Sequence, residues 1–537
     1  MAASFKSATR FGIALGLAVA TSASAQQADG WAPISSRAGS AEAVPGAELI
    51  PRAVVVESNS ESPITIPRAQ APALYTQSDA QTGLSSKPSQ FSIPQTTTTP
   101  TDSTKTQTET KSDSTAAKTD AAGSEKADNA STQAFAGHKP VQDAFDRLAT
   151  GTFKNTKYKW YGFVRVDGIY DFKPIKTTDM FVTSSIPIPQ GEGQNAVLTP
   201  RYTRLGWDTE TKIDCPDWTI KTRIEVDFFN GNTSGLFGSF PLRLRFAWAE
   251  FGNWRIGQDA SLFMDYDVFP NVLDYEGPAG MVLMRQPVIS YRVPINEKLK
   301  FAVGVEQPYS DIQWFEGGAF VVNPGTGIIT DPTVSKNVQD WFDVTSNLEW
   351  QHDYGHLQIA GILRKLSFQP VGFNNRDELG YGFNLTGTFH PWAALRECPK
   401  GGENDDVWQK SRFLFQYAAG HGINRYIQDV NGLGLDAVFD PINGFEALDS
   451  HGWFIAYEHW LSKKWIANFT ISETSTDLPD TLPADTYEKA VYAAATLIWL
   501  PVERMGVGWE FLYGSRENKD GAKGEAYRLQ TGFQYRF

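Results

Sequence analysis

From Lys159 to the end of the chain, apolar and polar positions alternate in short runs separated by turn residues. The last run, YRLQTGFQYRF, puts Tyr527, Leu529, Thr531, Phe533, Tyr535 and Phe537 on one side of a strand. Arg528, Gln530, Gly532, Gln534 and Arg536 fall on the other, because successive side chains of an extended chain point to opposite faces. In KWYGFVRVDGIYDF, Trp160, Val164, Val166 and Tyr170 oppose Arg165 and Asp167. From Trp218 to Phe229, Trp218, Ile220, Ile224, Val226 and Phe228 oppose Lys221, Arg223, Glu225 and Asp227. From Leu242 to Trp248, Leu242, Leu244, Phe246 and Trp248 oppose Arg243 and Arg245. One face suits lipid and the other water. Strands can span a membrane only in a closed barrel, where no edge leaves backbone groups unpaired. A soluble sandwich with one wet face would also alternate, so the number of strands and their connections must decide.

The pattern predicts sixteen strands, an even number as in bacterial single-chain barrels. After the one from Lys159 they lie near Tyr202 to Thr211, Trp218 to Phe229, Leu242 to Trp248, Asn253 to Gln258, Leu283 to Val293 and Lys298 to Glu306. Asp340 to Gln351, His356 to Phe368, Gly380 to His390, Gln409 to Gly420, His451 to Trp460, Trp465 to Glu473, Tyr487 to Trp499, Glu503 to Gly514 and Tyr527 to Phe537 follow. Their connections alternate in length. Asp214 to Asp217, Pro294 to Glu297, Asp353 to Gly355, Ser462 to Lys464 and Pro501 to Val502 are short, whereas Lys173 to Pro200, Asn230 to Pro241, Gln307 to Gln339, His421 to Ser450 and Thr474 to Thr486 are long. Short periplasmic turns and long extracellular loops are the outer-membrane arrangement. Only Pro391 to Trp408 departs from it, a long link where a short turn is due. The fold expected is therefore all-β, a 16-stranded antiparallel transmembrane barrel over residues 159–537, preceded by a disordered segment.

That preceding segment divides in three. Residues 1–25 carry Lys6 and Arg10, an apolar run from Phe11 to Ala20 and then Ala23-Ser24-Ala25, the parts of a secretory signal peptide. Residues 26–138 are rich in Ala, Ser, Thr, Pro and Gln, with TTTTPTDSTKTQTETKSDSTAAKTD at their centre, and cannot bury enough apolar surface to offset ordering entropy. Residues 139–158 read as a short periplasmic helix or linker, with Val141, Phe145 and Leu148 at helical spacing. Only two cysteines occur, Cys215 and Cys398, which excludes a disulfide framework and leaves a single bridge permitted. Both fall in links on the periplasmic side. A net charge of −13 argues against nucleic acid as a partner and is compatible with lipopolysaccharide and outer-membrane lipid.

Candidate chemistry gathers around the fifth strand. Between Arg255 and Arg285 there is no Lys or Arg, but there are Asp259, Asp265, Asp267, Asp274 and Glu276. The same stretch carries Leu262, Phe263, Met264, Tyr266, Phe269, Val272, Leu273 and Tyr275, so as the third long loop (about 258–282) it is expected to fold into the lumen rather than extend into water. Arg165, Arg204, Arg223, Arg243 and Arg245 are the inward cations of the preceding strands. An acidic loop facing a basic wall would set a transverse field across a pore constriction, at several kcal/mol per pair with an effective dielectric of about 20 and a gap of about 4 Å. Alternatively these arginines pair with Glu210, Glu225 and Asp227 as structural bridges. No catalytic residue is expected. His352 and His356 in HDYGH stand at i, i+4, a spacing that serves a metal site only on a helix, and here they flank a predicted tight turn.

YGFVRVDGIYDF, TRLGWDTE, IKTRIEVDFF, LRLRFAWAEFGNWRIGQDASLFMD and GPAGMVLMRQPVISYR resemble the DcaP-like family of outer-membrane porins. The resemblance is strongest from about Lys159 to Arg292. It implies a homotrimeric channel for small anionic solutes, dicarboxylates in particular, without cofactor or metal. It also implies an arginine-rich constriction, carried over to Arg165, Arg204, Arg223, Arg243, Arg245 and, from RQP, Arg285. Arg285 breaks the alternation, since Ile289 and Tyr291 share its parity, and a bulge at Pro287 is the expected remedy. An alternative reading makes the protein a structural tether whose N-terminal segment binds peptidoglycan or a periplasmic partner.

Overall fold

A computed structural model describes residues 150–214, 217–230, 240–316, 319–322, 335–395, 405–440, 442 and 444–537. The signal peptide, the low-complexity segment, the helix from Val141 and both cysteines lie outside the described residues. Sixteen antiparallel strands form the wall. They are β1 (Thr156–Asp171), β2 (Arg204–Asp214), β3 (Asp217–Asp227), β4 (Arg243–Phe251), β5 (Trp254–Ala260), β6 (Arg285–Pro294), β7 (Leu299–Glu306) and β8 (Asp343–His352). After them come β9 (Gly355–Gln369), β10 (Arg376–Phe389), β11 (Arg412–His421), β12 (Asp449–Ser462), β13 (Trp465–Thr476), β14 (Tyr487–Trp499), β15 (Met505–Asn518) and β16 (Lys523–Arg536). Each pairs with its neighbour, and β16 pairs back onto β1 from Phe163↔Arg536 to Asp171↔Arg528, which closes the ring. All sixteen strands predicted from the alternation are present.

The two-residue period sorts the environments. Val164, Leu205, Ile224, Leu244, Ile289, Ile359, Ile455, Phe469, Phe511, Leu529 and Phe533 are exposed on the outside, as a lipid-facing band requires. Towards the rim of short turns the band ends in paired aromatics, Trp160 stacked on Trp207 at 5.0 Å and Trp254 edge-on to Tyr291 at 4.9 Å. Such amphipathic rings favour the membrane–water boundary. Inward positions are polar, and the loops folded over them bury Asp167, Asp227, Thr345, Asn384, Gln416, Ser472, Glu510 and Gln530.

The structure departs from the alternation at three places. Phe246 and Trp248 point inward, not to lipid. The β3–β4 register shifts between Glu225↔Phe246 and Val226↔Leu244, so Arg245 is an extra residue, and Arg245 and Phe246 are both buried inside. A bulge inverts the parity of everything after it. At Pro287, in contrast, there is no shift, and β5 pairs regularly with β6 from Trp254↔Tyr291 to Ala260↔Arg285. Arg285 turns inward because it is the strand's first residue, where the chain leaves the loop. Finally, strand structure begins before Lys159, since Thr150–Phe153 forms a hairpin with the start of β1.

Parts of two long loops assemble a further sheet, Ala319–Val322, Ile312–Glu316, Ala437–Asp440 and Gly444–Ala447. Ile312, Trp314, Ala437 and Ala447 pack on Leu366 and Phe368 of β9. Arg364, fully buried beside them, bonds Asp343, Asp436 and the carbonyls of Gly422 and Tyr309 and so ties both loops to the wall. The long link after β10 holds two short helices, Pro391–Leu395 and Asp405–Trp408, and Trp392 donates to the Tyr457 hydroxyl at 2.9 Å on β12. With Cys215 and Cys398 replaced by Ser, Trp248→Cys is expected to react with a membrane-impermeant maleimide, and Ala247→Cys and Ala249→Cys to be protected by lipid. The opposite labelling pattern would show that the bulge does not invert the strand.

Candidate functional site

Between β5 and β6, residues 261–284 run across the inside of the barrel. Leu262, Phe263, Met264, Val268 and Leu273 are buried, which accounts for the apolar character of the segment. Apart from the 3-10 turn Tyr266–Val268 the segment has no regular structure, so its backbone groups need partners elsewhere. The inner wall supplies them. Glu306 of β7 accepts from the Leu262 amide at 2.9 Å and the Ser261 hydroxyl at 3.0 Å. Asn347, Asn384 and Gln358 donate to the carbonyls of Leu262, Phe263 and Met264 at 3.0, 2.8 and 3.2 Å. Glu458 accepts from the Asn271 amide at 2.8 Å, and Glu510 takes the amides of Leu273 and Asp274 at 2.7 and 2.8 Å. Gln416 both accepts from the Val282 amide and donates to the Gly280 carbonyl. These wall residues were not singled out in the sequence. The available signal was an inward carboxylate or amide at the matching height of several strands.

At Gly280 the loop lies directly on β12 and β13. A Cβ there would sit 2.2 Å from the Glu473 carbonyl oxygen and 2.5 Å from the Trp453 nitrogen, so only glycine allows this approach.

The arginine wall stands on β1 to β6, and its members pair chiefly with carboxylates of the wall itself. Arg165 bonds Asp167 at 2.7 Å, Arg223 bonds Asp208 at 2.8 Å and Arg243 bonds Asp227 at 2.7 Å. Arg245 bridges Glu225 at 2.6 Å and Asp227 at 3.2 Å, and Arg204 lies 3.4 Å from Glu225. The pairing expected with Glu225 and Asp227 is thus present, with Asp208 in the place considered for Glu210. Removing one partner of such a buried pair costs about 3–5 kcal/mol by leaving a charge uncompensated. Arg285 differs. Its guanidinium donates to the Tyr266 hydroxyl at 3.3 Å, and no carboxylate among the described residues lies within ion-pair distance.

The loop meets this wall through Tyr275 and a carbonyl. The Tyr275 hydroxyl bonds Asp227, Arg243 and Arg245, its ring stacks on Phe229 with centroids 4.4 Å apart, and the Leu273 carbonyl accepts from Arg165. The loop carboxylates are held elsewhere. Asp259 belongs to β5, where it accepts from Arg292 at 3.0 Å and Arg255 at 3.3 Å. Asp265 accepts from His356 at 2.8 Å and from Thr386; burial opposes its ionisation, but these bonds hold its pKa below the usual range. Asp267, beside it, is pushed up to about 6 by burial and by the charge of Asp265. Asp274 accepts the amides of Phe181 and Gly277, both at 3.0 Å. Burial, with Asp274 and Asp429 close by, raises Glu276 to about 8. His356 therefore serves as a loop anchor, while the His352 ring accepts from the Tyr354 amide across the tight turn.

Residues 145–324 match the family model described as DcaP outer membrane protein. The outer membrane channel DcaP of Acinetobacter baumannii has a solved structure that superposes with a TM-score of 0.58 at 20% identity, covering 73% of this chain and all of that one. Over residues 145–324 the chain is similar to that family, and the fold is that of an outer-membrane channel barrel. An anion-selective porin from Comamonas acidovorans (10% identity, TM-score 0.43, 71% of this chain and all of that one) and Salmonella typhi OmpF (12%, 0.42, 72% and all) are more distant. No curated protein matches the sequence. In an outer-membrane barrel of this kind the rim of short turns is the periplasmic end and the loop rim the outer one. Gly280→Val is expected to push the lumen loop off β12–β13 towards the arginines and to lower single-channel conductance in a planar bilayer. Unchanged conductance would contradict the role given to this contact.

Proposed function

We propose that the protein is a diffusion porin for small hydrophilic solutes with a preference for anions, dicarboxylates among them, assembled as a homotrimer in the outer membrane. The observation that carries this reading is Arg285. It is a lumen cation with a hydroxyl for a partner, standing at the end of the loop within the electrostatic reach of Arg243 and Arg245. A solute carboxylate arriving there meets donors without displacing an ion pair, which is the favourable, shallow binding that conduction needs.

Charge on the loop bears on the same preference. Glu276, with a pKa of about 8, is mostly protonated at neutral pH, and Asp267, at about 6, is partly so. The loop consequently carries less negative charge than its composition suggests, and the adjoining arginines stay fully charged. Anions are favoured by the difference.

Two outcomes follow. Neutralising the wall with Arg223→Gln, Arg243→Gln and Arg245→Gln exposes Asp208, Glu225 and Asp227, and should lower the anion-to-cation permeability ratio by roughly threefold or more. Reversal potentials in a KCl gradient measure it, and an unchanged ratio would place the selective wall elsewhere. Raising the pH from 7 to 9.5 ionises Glu276 and adds negative charge, so anion preference should fall over that window. Glu276→Gln should flatten the response, and an equal pH dependence in the variant would remove Glu276 from the account.

A further inference from the structure

At the periplasmic end of the wall just described, with Arg204 belonging to both, three inward side chains share one patch of β16, β1 and β2. Arg536 of β16 lies opposite Phe163 of β1, which lies opposite Arg204 of β2, so the two arginines flank the phenylalanine on the same inner face. The Arg204 guanidinium stands 5.3 Å above the Phe163 ring. Gln534, two residues before Arg536 and facing the same way, pairs with Arg165 across the β16–β1 closure.

Their donors are incompletely used. Nε and Nη2 of Arg536 are buried without a hydrogen-bond partner, and so is Nε2 of Gln534, a side chain 97% buried by its 3% exposure. Nε of Arg204 lies 3.4 Å from Glu225 but makes no hydrogen bond. No carboxylate among the described residues pairs with Arg536, and the nearby charges acting on it are those of Arg204 and Arg504, both positive. Buried donors of this kind are costly unless something accepts from them. Arg165, Arg223, Arg243 and Arg245 have carboxylates for that purpose.

We infer that Arg536, Gln534 and Arg204 form a second anion site at the periplasmic mouth, taking one carboxylate of a permeating solute after it has passed the constriction. The site rests on the reading of the protein as an anion-permeable channel. A planar carboxylate offers several lone-pair positions, enough to accept from both Arg536 nitrogens and the Gln534 amide, with Phe163 as an apolar floor.

Sidedness of block tests it. Succinate is added to one chamber of a planar bilayer and then to the other, and the apparent Kd from current noise is recorded for single channels. Arg536→Gln is expected to raise that Kd about tenfold from one chamber only, the loss of a charge-assisted bond. Gln534→Glu, which gives Arg536 a carboxylate of its own, should do the same and carries the test if Arg536→Gln fails to assemble. Equal effects from both chambers, or none, would overturn the site. A wild-type channel that prefers cations would overturn the porin reading itself, so the two failures are distinguishable.

Discussion

The fold depends on one constraint, that a backbone group removed from water must find a hydrogen-bond partner. In the wall the constraint closes the sheet, with β16 returning to β1 so that no edge faces lipid. In the lumen it has a second consequence. An irregular segment of 24 residues, 261–284, can lie inside only because the wall offers carboxylates and amides at the right heights. Glu306, Glu458, Glu510, Asn347, Asn384 and Gln416 are thus more than generic polar lining.

The same positions settle the charge arrangement. Carboxylates on β7, β12 and β15 are occupied with loop amides, and those on β2 and β3 with arginines. The loop's own acids turn towards His356, Phe181 and the buried neighbours of Glu276. What the loop presents to Arg243 and Arg245 is a phenol, Tyr275, which bonds both guanidiniums and the Asp227 carboxylate at once. A phenol positions those guanidiniums without adding a further negative charge to those of Glu225 and Asp227.

Most of the architecture was legible because alternation depends on the environment on either side of a strand, and lipid against water is a strong contrast. All sixteen strands and the alternating connections follow from it. Alternation fails where an extra residue enters, and Arg245 is such a residue: Phe246 and Trp248 are apolar enough for lipid yet face inward, with Trp248 beneath the guanidiniums of Arg255 at 4.2 Å and Arg223 at 5.6 Å. The loop sheet was illegible for another reason. Its strands are four or five residues long, and Ile312–Glu316 pairs with Ala437–Asp440 across more than a hundred residues, a partnership no local pattern announces. For the site, inward arginines could be read from parity, but which carboxylate each one meets depends on register. Asp208 instead of Glu210 beside Arg223 is the example.

The proposed anion preference turns on charge in the lumen: Arg285 has no carboxylate partner among the described residues, and Glu276 is mostly protonated at pH 7. The zero-current potential of the wild-type channel across a tenfold KCl gradient at pH 7 tests it most directly. The account predicts the sign of an anion-preferring pore; a potential of the opposite sign would contradict it.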